Sequence, residues 1–442
     1  MKRYWLFLAL MLNGVLLFAQ NSLIQSGPML GYVDMKEAVI WVQTTRPAEV
    51  FVTYYEKKHP DQIRFSNKAF TGYDKALTAH LYLDTLEPGT DYHYDLYINN
   101  KKAKLPYPSE FKTQEIWKWR KDAPDFKFAM GSGAYINETA YDRPGKPYGG
   151  GYEIYDHIAE MKPDFFLWLG DNVYLREPDW NTRAGIFHRY SHDRAIPELQ
   201  KLLATTHHYA ILDDHDFGPN DSDKSFWNKA ETLDAFELFW ANPSYGVPGV
   251  NGVTTFFNWS DCDFFLLDNR TNRDPNKRMK DHKTELGEDQ LQWLFDNLVN
   301  SYGTFKFIVM GGQFLSNSGM FESYTNYGFE GERRRIIDFI YEQNIKNVVF
   351  LTGDVHFSEI SVLKQRGKPT IWDITSSPLN SGVNIHGADQ PNSLRIPESV
   401  IMERNFALLE ITGGKGERKL KVTYFNTQGE KLYEYEIIPE HY

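Results

Sequence analysis

The chain reads as an α/β protein preceded by an all-β domain, and three observations predict this. Residues 20–115 hold only short runs of alternating or aromatic-rich character, such as VIWVQTT, VFVTYY and DYHYDLYI, separated by turn residues. From Phe128 onward apolar runs alternate with amphipathic stretches, the pattern of helices packed on a mostly buried sheet. Four of the apolar runs also end in carboxylates: PDFFLWLGD at Asp171, HYAILDDHD at Asp213, Asp214 and Asp216, CDFFLLDNR at Asp268, and NVVFLTGDVH at Asp354. An apolar run bounded by turn residues is a buried strand, and open α/β sheets bind ligands beyond the carboxyl ends of their strands.

The elements follow in order. Residues 1–19 read as a secretory signal peptide: Lys2 and Arg3 form the basic start, Trp5–Phe18 an apolar stretch too short to span a bilayer, and Ala19 a small residue for cleavage. This predicts a secreted protein, periplasmic or extracellular, with no transmembrane anchor after cleavage. Residues 20–115 form the β domain, in which LEPGTDYHYDLYI has the shape of a tyrosine corner at Tyr92. Residues 116–127, IWKWRKDAPDFK, read as a linker, and 128–442 as the second domain. Its helices are expected at YEIYDHIAEM, IPELQKLLAT, KAETLDAFELFWA, GEDQLQWLFDNLV and RRRIIDFIYEQN. The last three runs, FALLEITG, KLKVTYFN and KLYEYEII, have no helices between them and are expected to add antiparallel strands to a sheet edge.

Composition excludes some functions. The formal charge is −11, and −13 once Lys2 and Arg3 leave with the leader, so bulk nucleic-acid binding, which needs Lys and Arg against phosphates, is not expected. Cys262 is the single cysteine, which forbids an internal disulfide; inside the run DCDFFLLD it reads as a small buried hydrophobe.

Carboxylates gathered at strand ends repel one another unless a metal neutralises them. GDNVY adds Tyr174 three residues after Asp171, DDHD adds His215, and GDVH adds His356 two residues after Asp354. Carboxylate, imidazole and phenolate donors suit iron, zinc, manganese or calcium rather than a soft-metal site.

The order GDxxY, DDHD, LDxR, GDVH, with LDNRTNR, LGEDQLQWL, LTGDVHFSE and ITSSPL between and after, resembles the PhoD-like alkaline phosphatases of the calcineurin-like metallophosphoesterases over residues 30–440. The resemblance implies a metallophosphoesterase α/β/β/α sandwich behind a fibronectin-III-like or immunoglobulin-like β-sandwich. It also implies two or more metal ions, Fe3+ and Ca2+ by resemblance with Zn2+ or Mn2+ as alternatives, and phosphoester hydrolysis by a metal-activated hydroxide without a covalent intermediate. By the same resemblance Asp171 bridges the metals, Tyr174 and His356 bind the trivalent site, and Asp214 and Asp354 hold the second metal. His215 stands near the leaving oxygen as a general acid, and Asn220 is a candidate in the second-metal shell.

One departure stands out. The first metal motif of that family usually reads GSC, whereas FKFAM leads here into GSGAY, with Gly133 in place of the thiolate. Water, Asn137 or Ser132 is then needed to fill the position. Arg270 and Arg273 are candidate phosphate clamps, since guanidinium forks match phosphate oxygens; an ion pair with Asp268 is the competing reading for Arg270. DRPGKPYGGGYE (142–153) lacks the P-loop pattern and reads as a substrate-lining loop. His207 and His208 read as ordinary histidines, and Gln313 as a residue near the site. The expected activity is hydrolysis of phosphomonoesters, phosphodiesters or both, on small-molecule or polymer substrates. The alternatives are a phospholipase-D-like diesterase, or a weakened member that binds phosphorylated ligands.

Overall fold

The computed structural model of the chain describes residues 23–279, 282–320 and 323–440, so the leader expected at 1–19 lies outside them. The principal strands are β1 (Ile24–Val33), β2 (Ala38–Thr44), β3 (Ala48–Glu56), β4 (Thr78–Leu83), β5 (Asp91–Ile98), β6 (Phe126–Gly131), β7 (Phe165–Leu169), β8 (His207–Ile211), β9 (Thr255–Trp259), β10 (Cys262–Leu266), β11 (Lys306–Val309), β12 (Val348–Thr352), β13 (Glu359–Leu363), β14 (Ile371–Thr375), β15 (Asn405–Thr412), β16 (Lys419–Asn426) and β17 (Lys431–Ile437). The helices are α1 (Glu153–Glu160), α2 (Arg183–Arg194), α3 (Pro197–Thr205), the single turn α4 (Asp214–Phe217), α5 (Lys229–Phe239), α6 (Glu288–Asn300) and α7 (Glu330–Glu342).

Alternation within buried strands sets the layers. Phe165, Leu167 and Leu169 of β7 face a core shared by the two large sheets, while Phe166 and Trp168 face α1, α3 and α5. In the second sheet Phe264 and Phe307 face the shared core, while Phe265, Ile308 and Phe350 pack on α6 and α7. The result is helices, sheet, sheet, helices. The first sheet runs β17-β16-β15-β6-β7-β8-β1-β2-β4 and the second β9-β10-β11-β12-β14-β13. Strands β6, β7 and β8 are parallel to one another, as are β10, β11, β12 and β14. Their carboxyl ends therefore share one rim. The last three strands add antiparallel pairs next to β6, as their helix-free pattern predicts.

The N-terminal strands are not walled off as a self-contained pair of sheets. β1 lies parallel to β8 with Leu30 opposite His207, and β1, β2 and β4 complete the first large sheet. Only β3 and β5, with four strands of two or three residues, form a separate small sheet. Tyr32 N donates to Ala241 O at 2.9 Å, and Trp41 Nε1 to Leu238 O at 2.8 Å, so the edge groups of β1 and the indole of β2 find partners in the second half. Tyr92 is buried, and its hydroxyl accepts the Glu87 amide at 2.8 Å. The expected linker is tied down as well. Arg418 donates to Pro124 O at 2.6 Å and to Asp125 at 2.7 Å, and also pairs with Asp261, while Phe126 already belongs to β6.

Phe165 is the hub between the sheets. Its ring stacks on Phe128 at 4.8 Å and meets Trp259 at 4.9 Å, Phe264 at 5.4 Å, Tyr209 at 5.5 Å and Phe257 at 5.6 Å. Phe165→Ala is expected to cost about 3–5 kcal/mol, and Phe165→Leu clearly less, because the cavity it leaves is smaller. Urea unfolding midpoints at equal m-value check this, and an Ala variant within 1 kcal/mol of wild type (on the order of a surface substitution) would contradict it.

Candidate metal centre

The site forms where strand ends of the two sheets nearly touch. Glycines allow the approach: a Cβ at Gly311 would run into the Asp213 carboxylate, and one at Gly353 into Ser132. Ser132 N donates to Ser376 O at 3.1 Å and Leu379 N to Ser132 O at 2.8 Å, which stitches the rims together, while Gly353 N donates to Gly311 O at 2.7 Å within the second sheet. On this rim sit Asp171 after β7, Asp213 and Asp214 after β8, and Asp354 and His356 after β12.

Asp171, Asp354 and His356 all have left-handed backbones, at φ 52, 63 and 60°. Non-glycine residues adopt this region at a cost that functional sites tend to carry. Asp354 and His356 converge through these two turns, not through the two-residue alternation of an extended strand that their spacing suggests.

Asp171 Oδ2 accepts the Tyr174 hydroxyl at 2.9 Å, and that hydroxyl lies 3.1 Å from His356 Nε2. His356 Nδ1 donates to Gly382 O at 2.6 Å, which leaves Nε2 as the acceptor or ligand nitrogen. Asp171 Oδ1 is buried and has no hydrogen-bond partner. Ligand atoms of Asp171, Asp214 and His215 lie within 4.8 Å of one another, and so do those of Asp213, Asp214 and Asp354. A buried carboxylate oxygen without a hydrogen bond of good geometry, on a residue of one of two donor groups that overlap at Asp214, fits cations of the kind expected from the sequence. Cys262, the only thiol, is buried in β10 and is in neither group.

The electrostatics agree. Burial, then the charges of Asp214, Asp213, Asp354 and Asp216, hold the Asp171 carboxyl well above the usual carboxylate range. Burial acts the same way on Asp214, but His215, Arg270 and the Asp221 amide outweigh it and keep that carboxyl far below the range. Burial and then Asp171 push the Tyr174 phenol well up, and burial lowers His356 to about 4. A bound cation reverses this logic, since it favours every deprotonated donor around it.

Six residues singled out from the sequence thus meet at one place: Asp171, Tyr174, Asp214, His215, Asp354 and His356. Three others do not. Arg270 is fully buried, its Nε on Asp213 Oδ1 and Nη1 on Ser222 O. Arg273 is 1% exposed, paired with Glu285 and stacked 4.3 Å from the Phe329 ring. Neither guanidinium is presented to a ligand, and the Arg270 partner is Asp213 rather than the Asp268 carboxylate. Asn220 is exposed; beside it, the Asp221 amide holds Asp214 Oδ2 at 2.6 Å. Asp268 departs from the strand-end pattern too. Its oxygens accept the amides of Val253, Arg270 and Thr271 and the Thr271 hydroxyl, so it staples a loop. Gln313 is buried on Glu359 and Thr375, and His208 accepts from Trp168 Nε1 at 3.0 Å.

Several residues at the site carry no local sequence signal. Asp213 is visible in DDHD, but only the fold shows that it joins Asp214 and Asp354. Tyr148 covers His356, its hydroxyl 3.1 Å from Nδ1. Ser132 Oγ accepts the Asp354 amide at 3.2 Å, and the Asn137 side chain is spent on Gly149 and Tyr152, so Asn137 is not free to replace a ligand missing at Gly133.

Comparisons with known proteins place this geometry. Residues 248–428 match the family model described as PhoD-like phosphatase, and residues 21–116 match a domain of unknown function. Alkaline phosphatase D of Bacillus subtilis is 26% identical over 373 residues, covering 71% of this chain; the chain spans 60% of that relative's length. A solved structure of PhoD superposes with a TM-score of 0.76 at 19% identity, over 94% of this chain and 93% of that one. A purple acid phosphatase from yellow lupin (Lupinus luteus) seeds gives 0.65 at 13%, over 92% and 73%. The chain shares its fold with these two structures.

Replacing Asp171 by Asn keeps the acceptor for Tyr174 but removes the buried charge. In chelator-treated protein at pH 8, Asp171→Asn is expected to raise stability by about 1–3 kcal/mol. A carboxyl whose folded pKa exceeds its unfolded value of about 3.9 destabilises only above that value, so the gain should fade as pH falls toward 4. The same variant should lose the thermal stabilisation that added divalent cations give wild type. Thermal melts of both proteins across pH, with and without chelator, check this; a variant less stable than wild type at pH 8 without metal would contradict it.

Proposed function

We propose that the chain, whose residues 248–428 match the PhoD-like phosphatase model, is a metal-dependent phosphoester hydrolase, active on phosphomonoesters, phosphodiesters or both. The observation that carries this reading is the Asp171 carboxylate: one oxygen accepts from Tyr174, the other is buried with no hydrogen bond of good geometry, and the carboxylate shares a donor group with Asp214 and His215, of which Asp214 also belongs to the group of Asp213 and Asp354. Bound metal ions would lower the pKa of a water, polarise the phosphoryl oxygens and neutralise charge in an in-line displacement.

The residues of the chain have distinct tasks. Asp171 shares one donor group with Asp214, which also belongs to the other, and Asp171 would reach both ions. Tyr174 and His356 bind one side, and a phenolate there suits a trivalent ion such as Fe3+. Asp214, Asp354 and Asp213 bind the other, where carboxylate oxygens suit Ca2+, Mn2+ or Zn2+. Arg270 keeps Asp213 oriented and charged. His215 projects beside Tyr174 with ring centroids 4.3 Å apart and is half exposed, so it is placed to give a proton to the leaving oxygen. The loop 142–153 lies at the mouth through Tyr148, and the charge of Arg143 reaches that phenol, which makes Arg143 the candidate cation on the substrate side. The leader-like residues 1–19 support a secreted protein, periplasmic or extracellular, and no described helix is long and apolar enough to cross a membrane. The net negative charge supports a small-molecule or polymer phosphoester substrate in place of bulk nucleic acid.

Two outcomes are expected. Asp171→Ala should abolish release of phosphate from mono- and diesters together with bound metal, measured by elemental analysis; near-normal turnover and metal content would refute the proposal. His215→Asn should slow alkyl phosphates, whose leaving groups need a proton, by about 10²–10⁴-fold, and aryl phosphates much less. Equal losses on the two substrate types would instead make His215 a metal ligand.

A further inference from the structure

Gly133 has φ +76°, and a Cβ built on it would lie 2.9 Å from Ser381 Oγ and 3.0 Å from Pro378 Cβ. The volume that a side chain at 133 would claim is therefore already taken, and Ser381 takes it. The two segments are locked together, since Gly133 O accepts the amides of Ser381 at 3.0 Å and Asn380 at 3.2 Å. Ser381 O accepts Arg404 Nε at 2.9 Å, and the neighbouring Gly382 O is the acceptor that orients His356. The remaining polar atom of Ser381 is its hydroxyl. That oxygen is fully buried, makes no hydrogen bond of good geometry, and has the Tyr174 phenol as an interacting neighbour.

A buried hydroxyl with no hydrogen bond of good geometry is costly and calls for an explanation. Tyr174 Oη in turn lies 2.9 Å from Asp171 Oδ2 and 3.1 Å from His356 Nε2. Resting on the metal-dependent reading above, we propose that Ser381 Oγ is a ligand of the metal held by Tyr174, His356 and Asp171, supplying from the 376–382 loop the donor that Gly133 lacks. The first site is then an all-oxygen and imidazole shell, which favours hard ions and removes the preference for soft ones that a thiolate would bring. A cysteine restored at 133 would meet both an unfavourable backbone and an occupied volume.

The test uses the full-length purified protein loaded with Fe3+, Mn2+ or Co2+ alone and read by metal stoichiometry, chelator competition and absorption spectra. Ser381→Ala should keep the wild-type circular dichroism and bind one of the two ions at least about 10-fold more weakly, the loss that removal of even an outer-shell partner typically causes. Ser381→Cys, close in size, should gain a thiolate-to-cobalt charge-transfer band in the near-ultraviolet that wild type lacks, and should bind Cd2+ more tightly than wild type. A wild type that binds two ions, with a Ser381→Ala protein of unchanged affinity and a cobalt-loaded Ser381→Cys protein without the band, would overturn the assignment of Ser381 while leaving the metal centre standing. A wild type that binds no metal would overturn both.

Discussion

Repulsion among carboxylates is the constraint around which the rest is arranged. Ligand atoms of Asp213, Asp214 and Asp354 lie within 4.8 Å of one another, and Asp171 and His215 meet Asp214 at the same range. Asp171, Asp213 and Asp214 are almost fully buried. Burial removes the water that would screen them, which is why the Asp171 carboxyl is driven so far upward. Counter-charge has to come from elsewhere, and Arg270 supplies only part of it, against Asp213 and Asp214. The remaining demand is what a pair of cations would meet.

Holding such groups together needs a scaffold more rigid than the repulsion is strong. Two sheets pack face to face through an aromatic core centred on Phe165 and Phe264, and their parallel strands end on one rim. Glycines at 311 and 353 let the rims approach within backbone hydrogen-bonding distance. Left-handed backbone at Asp171, Asp354 and His356 then turns each side chain inward. The local strain persists because the surrounding bonds over-determine it: Asn172 N on Asp216, Asp354 N on Ser132 Oγ and His356 N on Ser377 Oγ.

The basic residues nearest the centre serve this scaffold. Arg270 and Arg273 are buried and paired with Asp213 and Glu285, and removing one partner of a buried pair leaves an uncompensated charge. Asp268 plays the corresponding part among the acids, since both of its oxygens are used by the loop it caps. The more exposed groups of this region are Tyr148, Arg143 and His215, the side proposed above to meet the substrate.

The division between sequence and tertiary structure follows from the range of each signal. Strand and helix identities are local, so the buried runs at 165–169, 262–266 and 348–352, and the carboxylates that end them, are legible from apolar patterning and turn residues alone. The grouping of Asp171, Tyr174, Asp214, His215, Asp354 and His356 is legible for a related reason: each follows a strand, and parallel strands bring their ends together. Patterning does not say which edge a strand joins, and so β1 and β2 read as part of a separate domain although they belong to the first large sheet. It does not separate a carboxylate that faces the rim from one that staples a loop, so Asp268 looks like Asp171 until its partners are seen. It does not show whether a guanidinium after a strand points outward or back into the core, which decided against Arg270 and Arg273. It could not connect Gly133 with Ser381, nearly 250 residues away, because only folding places a serine hydroxyl where a glycine has left room.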